Sequence, residues 1–217
     1  REGAVMEEKR ERTYAGMTRR TFGLGAVGAA ALLAMGGLHA LPAQAQVRPP
    51  GGQDEDRLVA TCIRCERCVE ACPRKALKPA PLENGILSMR TPTVDFDEGW
   101  CDFCKEENGG TPRCVAFCPT AALALDAKAD APSTILGKAV IIQDWCLAWS
   151  WDNGCKFCYD ACPYEAMELD EYDRPVVVAD ACNGCGACQN ACVSLKDGSI
   201  AVGATSRAIV VVPEEKA

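Results

Sequence analysis

The run Cys62-Ile-Arg-Cys65-Glu-Arg-Cys68-Val-Glu-Ala-Cys72-Pro73 spaces four thiols as C-x2-C-x2-C-x3-C, with proline after the last. Three thiolates within seven residues can wrap one face of a small metal–sulfide core, while the fourth is turned away toward a neighbouring one. One such run is therefore incomplete by itself. Three variants follow: Cys101, Cys104, Cys114, Cys118 with Pro119; Cys146, Cys155, Cys158, Cys162 with Pro163; and Cys182, Cys185, Cys188, Cys192. The chain has 16 cysteines in all. Four sets of four leave none over and imply four [4Fe–4S] clusters, with all sixteen cysteines as cofactor-binding metal ligands.

Other chemistries fit poorly. The single histidine, His39, lies in an apolar N-terminal stretch. This disfavours Rieske centres, mixed cysteine–histidine zinc sites, C-x-x-C-H haem attachment and a histidine acid–base centre, so no catalytic residue is assigned. A framework of eight disulfides has no reason to repeat C-x2-C with a C-x3-C partner, nor to follow three of four terminal cysteines with proline. A four-cysteine zinc site would separate two pairs by a long spacer, whereas Cys62, Cys65, Cys68 and Cys182, Cys185, Cys188 are triplets.

Residues Thr18-Arg19-Arg20-Thr21-Phe22-Gly23-Leu24 open a mildly apolar stretch that extends to Leu41, followed by Ala43-Gln44-Ala45. These are the parts of a twin-arginine export signal with a small-x-small cleavage site. The expected location is periplasmic, with the twin-arginine machinery as a partner. That route moves folded proteins, as a cofactor assembled in the cytoplasm requires. An uncut signal retained as an anchor is the alternative, since roughly 20 apolar residues can span a bilayer. Met6 and Met17 are both candidate starts. If cleavage follows Ala45, six basic and four acidic residues leave, so 17 basic and 26 acidic side chains remain and the net charge is −9. Such a surface does not seek nucleic acid or anionic lipid.

Four segments are expected: an N-terminal region over 1–45, a flexible arm over 46–57 rich in proline and glycine, a folded domain over 58–205, and a C-terminal tail over 206–217. Within the domain, short apolar segments flank each cysteine loop. Pro92–Phe96, Lys138–Ile142 and Pro175–Ala179 precede loops, and Ala122–Leu125, Ala166–Leu169 and Ser199–Val202 follow them. Their length and β-branched content read as strands. The unit resembles that of bacterial ferredoxins, which implies an α+β fold of tandem ferredoxin-like modules, two bodies of two clusters each, rich in loops. Large apolar side chains are few, so the metal must supply much of the folding free energy.

The inner motifs carry insertions, nine residues from Lys105 to Arg113 and eight from Leu147 to Gly154. Both are expected to project as candidate partner contacts, although Trp149 and Trp151 could instead pack over a cluster and exclude water. Trp100 and Trp145, each directly before a cysteine, are expected to pack. Val193 stands where the other motifs have proline, which removes the rigidity of that turn and alters the exposure expected near Cys192.

The signal, the opening Cys-Ile-Arg-Cys-x-x-Cys, the expanded second motif, the third motif Trp145-Cys-Leu-Ala-Trp-Ser-Trp-Asp-Asn-Gly-Cys-Lys-Phe-Cys-Tyr-Asp-Ala-Cys-Pro and the closing Cys-Asn-Gly-Cys-Gly-Ala-Cys-Gln-Asn-Ala-Cys-Val together resemble the NapG/MauM group of ferredoxin-type proteins. The resemblance implies a periplasmic electron-transfer protein without its own substrate pocket. Its partners would be a membrane iron–sulfur quinol-oxidising protein of the NapH type and a periplasmic acceptor such as nitrate reductase. The alternatives are a redox maturation factor for a quinoprotein dehydrogenase of the methylamine type, or an electron-transfer subunit of a molybdenum reductase or hydrogenase.

Two pairings of the motifs are open, because the fourth cysteine of each serves its partner's cluster. Chain locality favours first with second and third with fourth. Symmetry between the compact outer motifs, and resemblance to multi-cluster redox subunits, favour the nested alternative. The nested pairing is the expectation adopted: Cys192 with Cys62, Cys65 and Cys68; Cys72 with Cys182, Cys185 and Cys188; Cys162 with Cys101, Cys104 and Cys114; Cys118 with Cys146, Cys155 and Cys158.

Overall fold

Short elements bracket the cysteine loops, and none is large enough to stand alone. The computed structural model describes residues 46–104, 111–126, 129–151, 154–195 and 203–214. In order come α1 (Glu55–Thr61), α2 (Arg67–Ala71), β1 (Leu77–Pro79), β2 (Pro92–Val94), α3 (Arg113–Ala116), β3 (Lys138–Ile141), α4 (Leu147–Ser150), α5 (Phe157–Asp160), β4 (Met167–Leu169), β5 (Pro175–Val177), α6 (Ala187–Ala191) and β6 (Ile209–Val212). Asp54 caps α1 by accepting the Arg57 N–H, as an acidic side chain does at a helix start. Four of the other helices each contain a cysteine from a motif and run for only four or five residues.

The strands form three antiparallel ribbons. β1 pairs with β2, setting Leu77 opposite Val94; β4 pairs with β5, setting Met167 opposite Val177; β3 pairs with β6, setting Ala139 opposite Val211. The first two ribbons do the same job in successive modules. Each leaves one cysteine motif, folds back on itself and delivers the chain to the next motif beside the one it left. This α+β, loop-rich arrangement of tandem modules matches the fold expected from the motifs.

Several sequence expectations change in detail. Strands form within Pro92–Phe96, Lys138–Ile142, Ala166–Leu169 and Pro175–Ala179, but Ala122–Leu125 is irregular although Ala122 and Leu123 are buried. Ser199–Val202 falls outside the described residues. The partner of β3 is Ile209–Val212, in the segment expected to be a tail. Its four consecutive β-branched residues, with Ile209 and Val211 facing inward, are strongly strand-forming.

The expected flexible arm is likewise part of the body. Val47, Pro49 and Pro50 are buried, and the Val94 N–H donates to Val47 O at 2.9 Å. Arg48 is buried too, held by the Glu55 carboxylate (Nε to Oε2 2.7 Å), Thr91 Oγ1 (3.0 Å) and Pro92 O (2.8 Å). A buried guanidinium is tolerated when each face of its fork is satisfied. Arg48→Met should therefore lower the denaturant midpoint read by circular dichroism, by about 1–3 kcal/mol of stability, because two buried acceptors lose their donors.

The two modules join through Phe96, Asp97 and Cys101 of the first and the loop around Gly186 of the second. The Cys101 N–H donates to Cys185 O at 2.9 Å, Asn190 Nδ2 donates to Phe96 O at 2.9 Å, and Arg207 pairs with Asp97 at 3.1 Å. Gly186 has φ +80°, and a Cβ there would lie 1.9 Å from Phe96 Cδ1. No helix among the described residues is long and apolar enough to cross a membrane; the apolar run 22–41 lies outside them.

Candidate metal centres

All sixteen cysteines are free thiols, and the fold gathers them around four hollows. Quartet I is Cys62, Cys65, Cys68 and Cys118. Quartet II is Cys101, Cys104, Cys114 and Cys72. Quartet III is Cys182, Cys185, Cys188 and Cys162. Quartet IV is Cys146, Cys155, Cys158 and Cys192. Every thiol is used once.

This corrects the nested pairing. Cys72 lies with Cys101, Cys104 and Cys114, not with the fourth motif, and Cys192 lies with the third motif, not with Cys62, Cys65 and Cys68. Likewise Cys118 joins the first motif and Cys162 the fourth. The cause is the pair of hairpins. An antiparallel return of three residues per strand cannot carry the second motif away from the first, so neighbours in sequence exchange their fourth cysteines.

The thiols surround volume rather than converging on a point. The hollows measure about 320 to 410 Å³, open space at their mouths included. Among the described residues no three Cys, His, Asp or Glu side chains come close enough to hold a single metal ion. Four soft sulfur donors around a cavity suit a polynuclear iron–sulfur core better than one zinc ion.

The quartets form a row. Cys62, Cys68 and Cys118 of quartet I share one apolar cluster with Cys72 and Cys114 of quartet II, around Leu58 and Leu123. Cys101 of quartet II shares another with Cys162, Cys182 and Cys188 of quartet III and Cys158 and Cys192 of quartet IV. The Cys101 N–H reaches Cys185 O between II and III, and Cys158 of IV lies close enough to Cys188 of III to help raise it, so II adjoins III and III adjoins IV. Between II and III stands Tyr164, whose phenol is pushed up to about 12, first by burial and then by the nearby Cys185 and Cys101.

Burial also governs the thiols. It pushes Cys68 up to about 11, helped by Cys62, and Cys101 up to about 12, with Cys72 and Cys104 adding to the effect. Burial raises Cys158 to about 12, aided by Cys146 and Cys192, and Cys185 to about 11, aided by Cys162 and Cys182. These thiols hold their protons at neutral pH without metal, so metal must displace protons to bind. Cys118 is the contrary case. Burial raises it, but donation from the Leu123 and Thr120 N–H groups and the Thr120 hydroxyl outweighs burial and leaves it lowered.

Backbone strain collects in the same loops. Among the described non-glycine residues nine have positive φ, and seven of these (Arg64, Glu66, Lys75, Phe103, Cys104, Ala121 and Glu165) fall in a cysteine motif or within three residues after it. Concentrated strain of this kind marks loops shaped by a ligand. Lys75, Ala121 and Glu165 each stand three residues after a cysteine followed by proline. Two of those turns send a backbone N–H back to sulfur: Leu123 to Cys118 Sγ at 3.5 Å and Ala166 to Cys162 Sγ at 3.3 Å.

The first half of the insertion in the third motif packs against the body rather than projecting. Leu147–Ser150 is helix α4, with Ala148 buried against Cys146. The Trp149 ring packs in that cluster, its Nε1 donates to Pro175 O at 3.1 Å, and Arg174 lies 4.2 Å from its centroid. Trp149 thus covers quartet IV, while Trp151 is exposed. Trp100 lines quartet II under Arg74, and Trp145 packs beside Cys146. Residues 105–110 of the second insertion lie outside the described residues.

Comparison with known proteins agrees with the geometry. The family model for a 4Fe-4S dicluster domain matches residues 61–122 and again 153–194. The first match spans motifs one and two, and the second runs from the third motif into the fourth. The ferredoxin-type protein NapG of Escherichia coli is 34% identical over 88% of this chain and 84% of its own length. The methylamine utilization ferredoxin-type protein MauM of Methylobacillus flagellatus is 33% identical over 91% of this chain and 85% of its own. The ferredoxin-type protein NapF of Escherichia coli is 30% identical over 67% of this chain and 79% of its own. With its two dicluster regions and this similarity along most of its length, the chain belongs to the NapG/MauM group of ferredoxin-type iron–sulfur electron-transfer proteins.

Proposed function

We propose that the protein is a periplasmic electron relay of four [4Fe–4S] clusters, one per quartet, taking electrons from a membrane quinol-oxidising partner of the NapH type and passing them to a periplasmic reductase such as nitrate reductase. The observation that carries this reading is the row of four thiol quartets, which favours stepwise transfer over substrate chemistry. Bound clusters would supply one-electron chemistry. The chain's own residues hold the sulfur ligands, exclude water with Trp149 and Trp100, and aim N–H groups at sulfur.

Both ends of the row suit partner contact. At quartet I, Cys65 is exposed, as are Ile63, Leu87 and Met89, and Arg64 ties these loops together through Leu87 O and Met89 O, each at 2.9 Å. At quartet IV, Trp151 and Phe157 are exposed. Contiguous exposed apolar side chains are characteristic of protein contact surfaces. Similarity to MauM along most of the chain favours a second reading, in which the same relay serves maturation of a methylamine-type quinoprotein dehydrogenase.

The test is reduction of the anaerobically purified protein by membranes carrying the quinol-oxidising partner, followed by reoxidation with nitrate reductase. Bleaching of the visible absorbance and its recovery support the relay. Failure of reoxidation by the reductase, with normal bleaching, favours the maturation role. Replacing Arg19 and Arg20 together by Lys is expected to strand the protein in the cytoplasm with its iron intact, as cell fractionation would register. Undiminished periplasmic protein would show that another route operates.

A further inference from the structure

We infer that the Ser194 hydroxyl raises the reduction potential of the centre at quartet IV. This rests on the cluster reading above.

The motif ending at Cys192 has lost the proline of its three counterparts, and its turn differs from theirs. Residue 195 is not among the left-handed residues, whereas the equivalent Lys75, Ala121 and Glu165 are. In this turn Ser194 is 2% exposed, with Oγ 3.2 Å from Cys192 Sγ. The oxygen also accepts the Ala208 N–H at 2.8 Å. Ala208 is itself pinned, since its carbonyl accepts the Ile142 N–H at 2.7 Å.

This sequence of bonds orients the hydroxyl. The Ala208 N–H fixes the position of the Ser194 oxygen, and a metal-bound thiolate at Cys192 has no proton to give, so in that state the Ser194 hydroxyl is the donor of the contact to sulfur. A hydrogen bond to ligand sulfur withdraws electron density and favours the reduced, more negative state of the centre. Burial strengthens it, because no water competes. Thr120 offers an internal comparison. It too stands two residues after a terminal cysteine, but its Oγ1 is 3.9 Å from Cys118 Sγ and it is exposed.

The experiment is a redox titration of the full protein, followed by electron paramagnetic resonance, for wild type, Ser194→Ala, Ser194→Thr and Thr120→Ala, with iron and sulfide analysis of each. Ser194→Ala should lower the reduced-to-oxidised ratio of one centre about tenfold at fixed potential, or about 59 mV for a one-electron couple. The remaining centres should stay in place. Ser194→Thr, which keeps the hydroxyl, should restore most of the shift, and Thr120→Ala, which removes a longer and exposed contact to Cys118, should move the quartet I centre by less than half as much. Four intact centres with no shift in Ser194→Ala, or an equal shift of all of them, would overturn the inference while leaving the relay reading untouched. Fewer than four centres in the wild type would overturn the relay reading and this inference with it.

Discussion

Iron removal by a chelator under reducing conditions is expected to unfold the chain from residue 46 to residue 214, with loss of helical circular dichroism and of amide protection. The reason lies in the size of the elements. No described helix exceeds seven residues, and isolated helices shorter than about 12 residues are marginal in water. Among the described residues each sheet has two strands, and two-stranded ribbons are marginal as well. The largest side chains that are fully buried include just two leucines, Leu58 and Leu123, with the rest proline, threonine and serine. Cysteines fill the core in their place: Cys158, Cys182 and Cys188 lie within one apolar cluster and Cys114 within another. Burial raises Cys114, Cys158 and Cys188 and keeps them protonated without metal, so binding of metal by their thiolates is the large term that closes the fold. Retention of native circular dichroism after complete iron loss would show that the apolar core suffices.

Gly186→Ala should be strongly destabilising at the junction of the two modules. Two independent costs combine there. The residue has φ +80°, which costs a side-chain-bearing residue about 1–2 kcal/mol. The new Cβ would also meet the buried Phe96 ring at 1.9 Å, and overpacking of this kind adds about 1–3 kcal/mol. Because Phe96 belongs to the first module, the clash pries the modules apart next to quartet III. Iron content is expected to fall from about sixteen to about twelve per chain, one cluster's worth. Glu66 holds the equivalent place in the first motif with φ +61°, and there a side chain is already accommodated, so Glu66→Ala should keep full iron. Equal iron in wild type and Gly186→Ala would show that the module contact yields easily.

That each motif gathers three of its thiols in one place was legible in the sequence because cysteine spacing is a local property: three thiols within seven residues specify a loop whatever surrounds it. Pairing between motifs is not local. It is decided by the β1–β2 and β4–β5 hairpins, and symmetry between the compact first and fourth motifs pointed the wrong way. A signal for the right answer was present. Asp170-Glu-Tyr-Asp173-Arg174 joins the short segments Met167–Leu169 and Pro175–Val177, a five-residue loop of hairpin type. Its Asp170 accepts N–H groups from Tyr172 and Arg174.

The margins of the domain were misread for a different reason. Proline and glycine near residue 50 read as a flexible arm, yet both prolines are buried and Gly51 O accepts the Ala124 N–H. Arg48 ties this segment to Glu55, a contact that composition does not reveal. Ile209–Val212 had the residue types of a strand but no obvious mate, since its partner β3 lies some seventy residues earlier. Ser194 was visible only as a neighbour of the unusual Val193; its significance comes from the Ala208 N–H that fixes it.

Diffraction from the anaerobically purified protein at the iron absorption edge tests the central claim most directly. The expected map holds four iron centres in a row, with Cys72 on the centre of Cys101, Cys104 and Cys114, and Cys192 on that of Cys146, Cys155 and Cys158. Fewer than four centres, or Cys72 bound with Cys182, Cys185 and Cys188, would contradict it.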